Sequence, residues 1–210
     1  MAIKENDFVE LDYTGKLADG TVFDTTNENL GRSLTSARSV FRPVIICVGE
    51  GQVVAGLDQA LLGKEVGKTY SIGVAADLAF GKKDPKLVGL VPFALFKKQR
   101  VMPTPGLLID VDGTRATVVR MTGGRVMVDF NHPLAGKDVV YDILVKRQVT
   151  DAAEKVRSYL DIILSVSKEV AVAESKATIT LGTSLPSEMI TDLTTRLLRI
   201  TGLTVEFVVA

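Results

Sequence analysis

The amino-acid sequence predicts an α+β chain of nested units, and three observations carry that reading. Short alternating runs of apolar and polar residues, joined by glycine-containing turns, recur from Phe8 to Val145, as hairpin-connected strands do. The texture changes past Pro85, and a strand of the earlier kind resumes at Val139, so one β unit is nested in another. Stripes of longer helical spacing, Val156, Tyr159, Leu160 and Ile163 and then Ile190, Leu193, Leu197 and Ile200, appear only after Thr150.

In chain order, Phe8 to Leu17 alternates with Val9, Leu11 and Tyr13 on one face and Phe8, Glu10 and Asp12 on the other. Asp19-Gly20 is a hairpin turn, and Thr21 to Asp24 is the returning strand. Asn27 to Pro43 is polar and without period, which predicts a long excursion over the surface. Val44 to Val48 is a buried strand, and Leu57, Ala60 and Leu61 mark one face of a short helix. Thr69 to Val74 is a further strand, followed by a loop from Asp77 to Pro85. Pro92 to Phe96 is a helical turn begun by proline, whose fixed φ suits the first helical position. Leu107 to Val111, Thr114 to Met121 and Arg125 to Phe130 are strands with turns at Asp112-Gly113 and Gly123-Gly124. From Thr150 the order is helix, strand (Glu169 to Ala173), strand (Ala177 to Leu181), helix and strand (Leu203 to Val208). Asp151 and Glu154 open the first helix in a capping-box-like arrangement, and Gly202 closes the second.

Composition excludes several classes. Lys plus Arg equals Asp plus Glu, 25 each, so no long-range field favours nucleic acid or an anionic membrane. The longest apolar runs, such as Val44 to Val48, fall far short of the roughly 20 residues that span a bilayer. The polar, partly acidic start from Met1 to Asp7 is unlike a secretory signal, and a cytoplasmic location is expected. One cysteine, Cys47, forms no internal disulfide, and its apolar run predicts a buried, inert thiol. One histidine, His132, has no companions at ligand spacing, so no metal and no cofactor is expected. Gly49-Glu50-Gly51 lacks the lysine and further glycines of a phosphate loop.

Three stretches carry a resemblance. Tyr13-Thr14-Gly15 with Gly20-Thr21-Val22-Phe23-Asp24, then Gly49 to Leu57, then Ala79-Phe80-Gly81 together resemble the FKBP family of peptidyl-prolyl isomerases, over residues 4 to 148. The segment Asp129 to Lys137 resembles the re-entry point of the SlyD-like members, which carry an insert-in-flap (IF) domain, and the added C-terminal module is similar to the long archaeal form. The resemblance implies an antiparallel sheet curled around a short helix. It implies an isomerase domain at 1–85 and 130–149, a small β-rich IF chaperone domain at 86–129, and a C-terminal α-β-β-α-β domain at 150–210.

The pocket implied by the family is Tyr13, Phe23, Asp24, Val53, Val54, Leu57, Phe80 and Tyr141. Leu57 stands where many relatives have tryptophan and Phe80 where many have tyrosine, so an aliphatic floor and one fewer hydroxyl are expected. Turning a prolyl amide requires no proton transfer, so the chemistry calls for shape and dryness rather than a polar cluster. The resemblance also implies that the Val54 N–H binds a substrate carbonyl, and that Leu90, Val91, Phe93, Leu95, Phe96, Val101 and Met102 of the insert hold unfolded chains, some of them serving its core instead. Implied partners are proline-containing, unfolded or partly folded polypeptides and macrolide inhibitors, with the chain a monomer or a homodimer through the C-terminal domain. Two rivals stand beside this reading: a non-catalytic peptide-binding chaperone, and a scaffold docking a dedicated partner through residues 150–210.

Overall fold

The computed structural model describes residues 2–34, 41–98, 100–111, 113–164, 166 and 168–209. In chain order the elements are β1 (Phe8–Leu17), β2 (Val22–Thr25), α1 (Glu28–Gly31), β3 (Val44–Cys47), α2 (Ala55–Leu61), β4 (Thr69–Val74), β5 (Val88–Pro92), α3 (Phe93–Lys98), β6 (Leu108–Val111), β7 (Thr114–Thr122), β8 (Arg125–Asp129), β9 (Val139–Gln148), α4 (Ala152–Ile163), β10 (Lys168–Ala173), β11 (Lys176–Leu181), α5 (Ser187–Thr201) and β12 (Thr204–Val209). Residues 1–74 with 139–210 form one unit, and residues 75–138 form a second.

The first unit is built on β1, long enough to serve three neighbours. Along one side it pairs antiparallel with β9, from Val9↔Gln148 to Leu17↔Val139. Along the other, its first half pairs with β3 and its second with β2. Strand β4 closes the far edge against β9, and Val74↔Val139 is the last pair of that ladder. Residues 75–138 therefore occupy the place of a hairpin turn. An insertion at a turn leaves the ladder on either side intact, which is why such sites accept whole domains.

On β9 the residues Val139, Tyr141, Ile143 and Val145 are buried and alternate with more open ones, as a half-buried strand dictates. β1 departs from that period, because Phe8 and Val9 are both buried although they face opposite ways. The reason lies in the last sixty residues. There β10-β11-β12 form a sheet, antiparallel then parallel, with α5 as the crossover to β12. Val156, Tyr159 and Leu160 of α4, Leu193, Leu197 and Ile200 of α5 and Ile179 on β11 join Phe8, Cys47 and Val149 in one continuous core, whereas Ile190 is half-buried and Ile163, the last residue of α4, is exposed because the stripe runs past the cover at the helix end. Burial pushes the Cys47 thiol up to about 12, consistent with an inert side chain.

α4 starts as a capping box should, with the Asp151 carboxylate accepting from the Glu154 N–H at 2.7 Å. Arg147 donates to Glu10 at 2.5 Å and to both oxygens of Glu154, tying α4 to β9 and β1. α5 ends at Gly202, whose φ of 73° is left-handed and comfortable only for residues of its kind.

The second unit is a four-stranded antiparallel sheet, β5-β8-β7-β6. Its core is small: Val91, Phe96, Ala116, Val118, Val126 and Val128, with Phe93, Leu107, Ile109 and Phe130 against it. β5 escapes the sequence reading because it is short and ends in proline, a residue that an edge strand tolerates. Its two connecting segments are stitched by polar groups: Lys83 donates to Asp129 at 2.7 Å, and the Asn131 side chain spans Asp129 and Asp84. The lysine beside Asp129 holds its carboxyl below the usual range. In the 27–43 excursion, residues 35–40 lie outside the described residues. The rest contains α1, capped by Asn27, a turn too short to show a period. Asp112 of the expected Asp112-Gly113 turn also lies outside them.

Candidate functional site

Two aromatic rings close over one glycine, and a third packs on one of them. Gly15 on β1 faces Tyr141 across the β9 ladder and Asp24 across the β2 ladder. A Cβ at Gly15 would stand 2.7 Å from the Phe23 ring and 3.0 Å from that of Tyr141, so only glycine lets both rings lie this close to the sheet. Phe23 meets Tyr141 edge to face with centroids 5.9 Å apart, and Tyr13 meets Tyr141 at 6.2 Å. Those are favourable quadrupole arrangements, and they hold the rings as a rigid wall.

A carboxylate fixes the rim. The Tyr13 hydroxyl donates to Asp24 Oδ2 at 2.6 Å, and the Thr25 N–H donates to Oδ1 at 2.9 Å. Beneath it the Thr26 hydroxyl oxygen accepts from the Tyr13 N–H at 2.9 Å, and Thr14 and Thr25 share a hydroxyl contact. Burial, and then the neighbouring Tyr13 and Asp24, push the Tyr141 phenol up to about 12, so it stays neutral across the physiological range.

Val53 and Val54 lead into α2, and Leu57 lies in its first turn. The Asp58 carboxylate, itself buried, accepts from the Gly49 and Gly51 N–H groups at 2.9 and 3.0 Å and so shapes the turn that leads to them. The Val54 carbonyl accepts from Leu57 and Asp58 as the first helical bonds, while its N–H makes no hydrogen bond to another described residue. Leu57 is buried. Tyr13 and Val53 both line a cleft of about 740 Å³, which Glu154, Arg157 and Asp161 of α4 line as well.

The structure thus brings Tyr13, Phe23, Asp24 and Tyr141 into direct contact and sets Val53 on a cleft shared with Tyr13, with Val54 and Leu57 following along the chain. Phe80 belongs to the second unit, where its ring stacks on His132 with centroids 4.7 Å apart. His132 Nδ1 accepts from the Leu134 N–H in the turn around Pro133. Of the insert residues singled out by sequence, Leu90, Leu95, Val101 and Met102 are exposed, and Met102 is 68% so. Val91 and Phe96 are core residues and Phe93 packs on that core, because a sheet of this size has few other side chains with which to fill its one buried face. Sequence reasoning passed over Leu108 and Met121, both exposed apolar residues of the same sheet. The signal for Leu108 was a leucine in register with charged Asp110 on the outer face of β6.

Among the described residues no helix is long and apolar enough to cross a membrane. Residues 1–92 match the family described as FKBP-type peptidyl-prolyl cis-trans isomerase, and residues 89–134 match the IF domain of FKBP26. The chain is 31% identical over 146 residues to a short-type peptidyl-prolyl cis-trans isomerase of Methanocaldococcus jannaschii, covering 69% of this chain and 92% of that protein. It is 31% identical over 153 residues to the FKBP-type 16 kDa peptidyl-prolyl cis-trans isomerase of Escherichia coli K12, with the same coverage of 69% and 92%. It is also 31% identical over 149 residues to the SlyD isomerase of Aeromonas hydrophila, covering 70% of this chain and 65% of that one.

Proposed function

The chain belongs to the FKBP-type peptidyl-prolyl cis-trans isomerase family and has that activity, and from this premise we propose that its substrate proline sits against the ring wall of Tyr13, Phe23 and Tyr141. The observation that carries the proposal is the edge-to-face packing of these rings over Gly15, with Asp24 locked at their rim. Rotation about the amide before proline crosses a barrier of about 18–20 kcal/mol, because the twisted state has lost its resonance. The planar amide is the more dipolar form and the one water stabilises better. A dry, rigid wall of rings removes that preference, and an enzyme gains rate only where it binds the twisted state better than the planar one.

Asp24 is no general base. Both its oxygens already accept hydrogen bonds, from Tyr13 and Thr25, and the reaction moves no proton. Its role is to hold the Tyr13 ring. The Val54 N–H, which has no partner among the described residues, suits a substrate carbonyl, and Val53 and Leu57 complete the apolar surroundings. Phe80 is assigned to the same pocket by family resemblance alone.

The enzyme's clients are proline-containing chains still folding, in the cytoplasm. The insert holds such chains through Leu90, Leu95, Val101 and Met102, whose exposed apolar surface would otherwise be unusual for so small a sheet. Holding a client raises the local concentration of its prolines. The division into an isomerase domain at 1–85 and 130–149, an insert at 86–129 and a module at 150–210 belongs to the same proposal. A proline-limited refolding assay tests it: wild-type protein accelerates the slow phase, and Phe23→Ala, with its fold intact by circular dichroism, does not. Equal acceleration by both would overturn the site.

A further inference from the structure

The turn before the substrate pocket is gripped from the far end of the chain. The Glu50 side chain is only 4% exposed, unusual for a glutamate, and its two oxygens go to two different helices of the last sixty residues. The Tyr159 hydroxyl on α4 donates to Oε2 at 2.9 Å, and Arg199 on α5 donates to Oε1 at 2.5 Å. Burial, followed by the hydrogen bond to Glu50, raises the Tyr159 phenol to about 12, so it remains a donor at any ordinary pH.

On its other side the same turn is held by α2. Asp58 takes the N–H groups of Gly49 and Gly51, flanking Glu50, and the Gln52 side-chain oxygen accepts from the Cys47 N–H at 2.7 Å. The turn therefore has its backbone fixed by α2 and its one long side chain fixed by α4 and α5. Val53 and Val54 follow three and four residues later with no intervening element. Their place relative to Tyr13 depends on where this turn sits. The helix that carries Tyr159 also lines the cleft shared by Tyr13 and Val53.

We propose that Glu50 is a positioning residue of the isomerase site and that residues 150–210 serve as the clamp that holds it. Glu50 does not touch substrate, because its carboxylate is enclosed. It sets the position of the Val53–Val54 segment, and a displacement there weakens the binding of planar and twisted prolyl chains alike. The signature of such a loss is a raised KM with little change in kcat. Misplacement by about 1 Å far from the reacting bond can cost up to about a hundredfold. Losing one charged contact of two, with the turn still held by Asp58, should cost about tenfold.

This inference rests on the proposed site, and the experiment separates the two. Isomerisation of a short prolyl peptide is measured alongside amide hydrogen exchange of residues 48–54, on the full chain. The variants are Glu50→Gln, Tyr159→Phe, which keeps the buried ring, and Ile179→Ala, which weakens the same core away from Glu50. The expected result is a KM raised about tenfold in Glu50→Gln and about threefold in Tyr159→Phe, with faster exchange in the turn. Ile179→Ala lowers the melting temperature but leaves KM and the exchange of the turn unchanged. Exchange and KM unchanged in Glu50→Gln would overturn the clamp, as would a KM in Ile179→Ala raised in proportion to its lost stability. A wild-type protein without turnover would overturn the functional reading beneath it, whereas the exchange data report on the clamp independently.

Discussion

The insert and the C-terminal module use apolar residues in different ways. The insert has six buried apolar residues in its core and leaves Leu90, Leu95, Met102, Leu108 and Met121 on its outside. The C-terminal module turns most of both its helical stripes inward, onto Phe8 and Cys47 of β1 and β3, although Ile163, Leu198 and Val209 stay exposed. Apolar surface kept outside a small sheet is available to another chain, and apolar surface turned inward makes the module part of the scaffold. On the proposed function, the difference is that one addition extends what the enzyme can hold and the other extends the scaffold that holds it.

The largest effect that could break this contrast comes from the shared core. Leu197→Ala removes a fully buried side chain of α5 and should cost about 2–5 kcal/mol. Because Phe8 and Cys47 lie in the same cluster, calorimetry should show the transition that carries isomerase activity moving down with it. Val126→Ala in the insert should leave that transition in place. A Leu197→Ala protein that keeps its activity transition unmoved would contradict the shared core.

Next in size is removal of the insert. Replacing residues 86–129 with a short turn should leave turnover of a prolyl tetrapeptide within about twofold, yet slow refolding of a whole protein by about tenfold or more, the range that tethering supplies. Equal losses in both assays would end the proposed division of labour.

Much of this architecture was legible in the chain. The hairpin of β1 and β2, the existence of strand β4 and the capping of α4 and α5 follow from local period and turn chemistry, and each rests on neighbours within a few residues. Of the site, Tyr13, Phe23 and Asp24 fall on one hairpin whose motif was visible, and the structure adds their contact with Tyr141. What stayed hidden depends on distant pairs. Phe8 read as the outward face of β1 because alternation cannot say that a second layer covers it. Glu50 received no role from the sequence, because its partners lie 109 and 149 positions away. The exposure of Arg120 was equally hidden, because a bulge between Val118 and Arg120 breaks the alternation that buries Ala116 and Val118 on β7.

Acid and base should sharpen the contrast further. Asp129 in the insert has a lowered carboxyl pKa, caused first by Lys83. Its contribution is present above the ordinary value of 3.8 and is lost as pH falls through the depressed one, but Asp142 and Glu154 of the first unit are lowered as well, by Lys16 and Arg147, so acid should loosen both units. Tyr141 and Tyr159 are raised from 10.0 to about 12. Their contribution is full below pH 10 and is lost as pH rises towards 12, so the unit carrying the site should loosen first in alkali. Hydrogen exchange across the pH range would read both, and an insert that loosened before the first unit in alkali would contradict the assignment. The smallest effect belongs to the surface: Leu90→Ser with Met102→Ser should change stability by less than about 0.5 kcal/mol. Refolding assistance should nevertheless fall about twofold, with tetrapeptide turnover unaltered.

The most direct test of the ring wall itself is exchange NMR on a proline-containing peptide with a catalytic amount of protein. Wild-type protein should bring the cis and trans resonances into exchange, and Phe23→Ala, folded and at the same concentration, should leave them separate. Cis–trans exchange of equal rate with both proteins would contradict the claim that Tyr13, Phe23 and Tyr141 form the surface on which the prolyl amide turns.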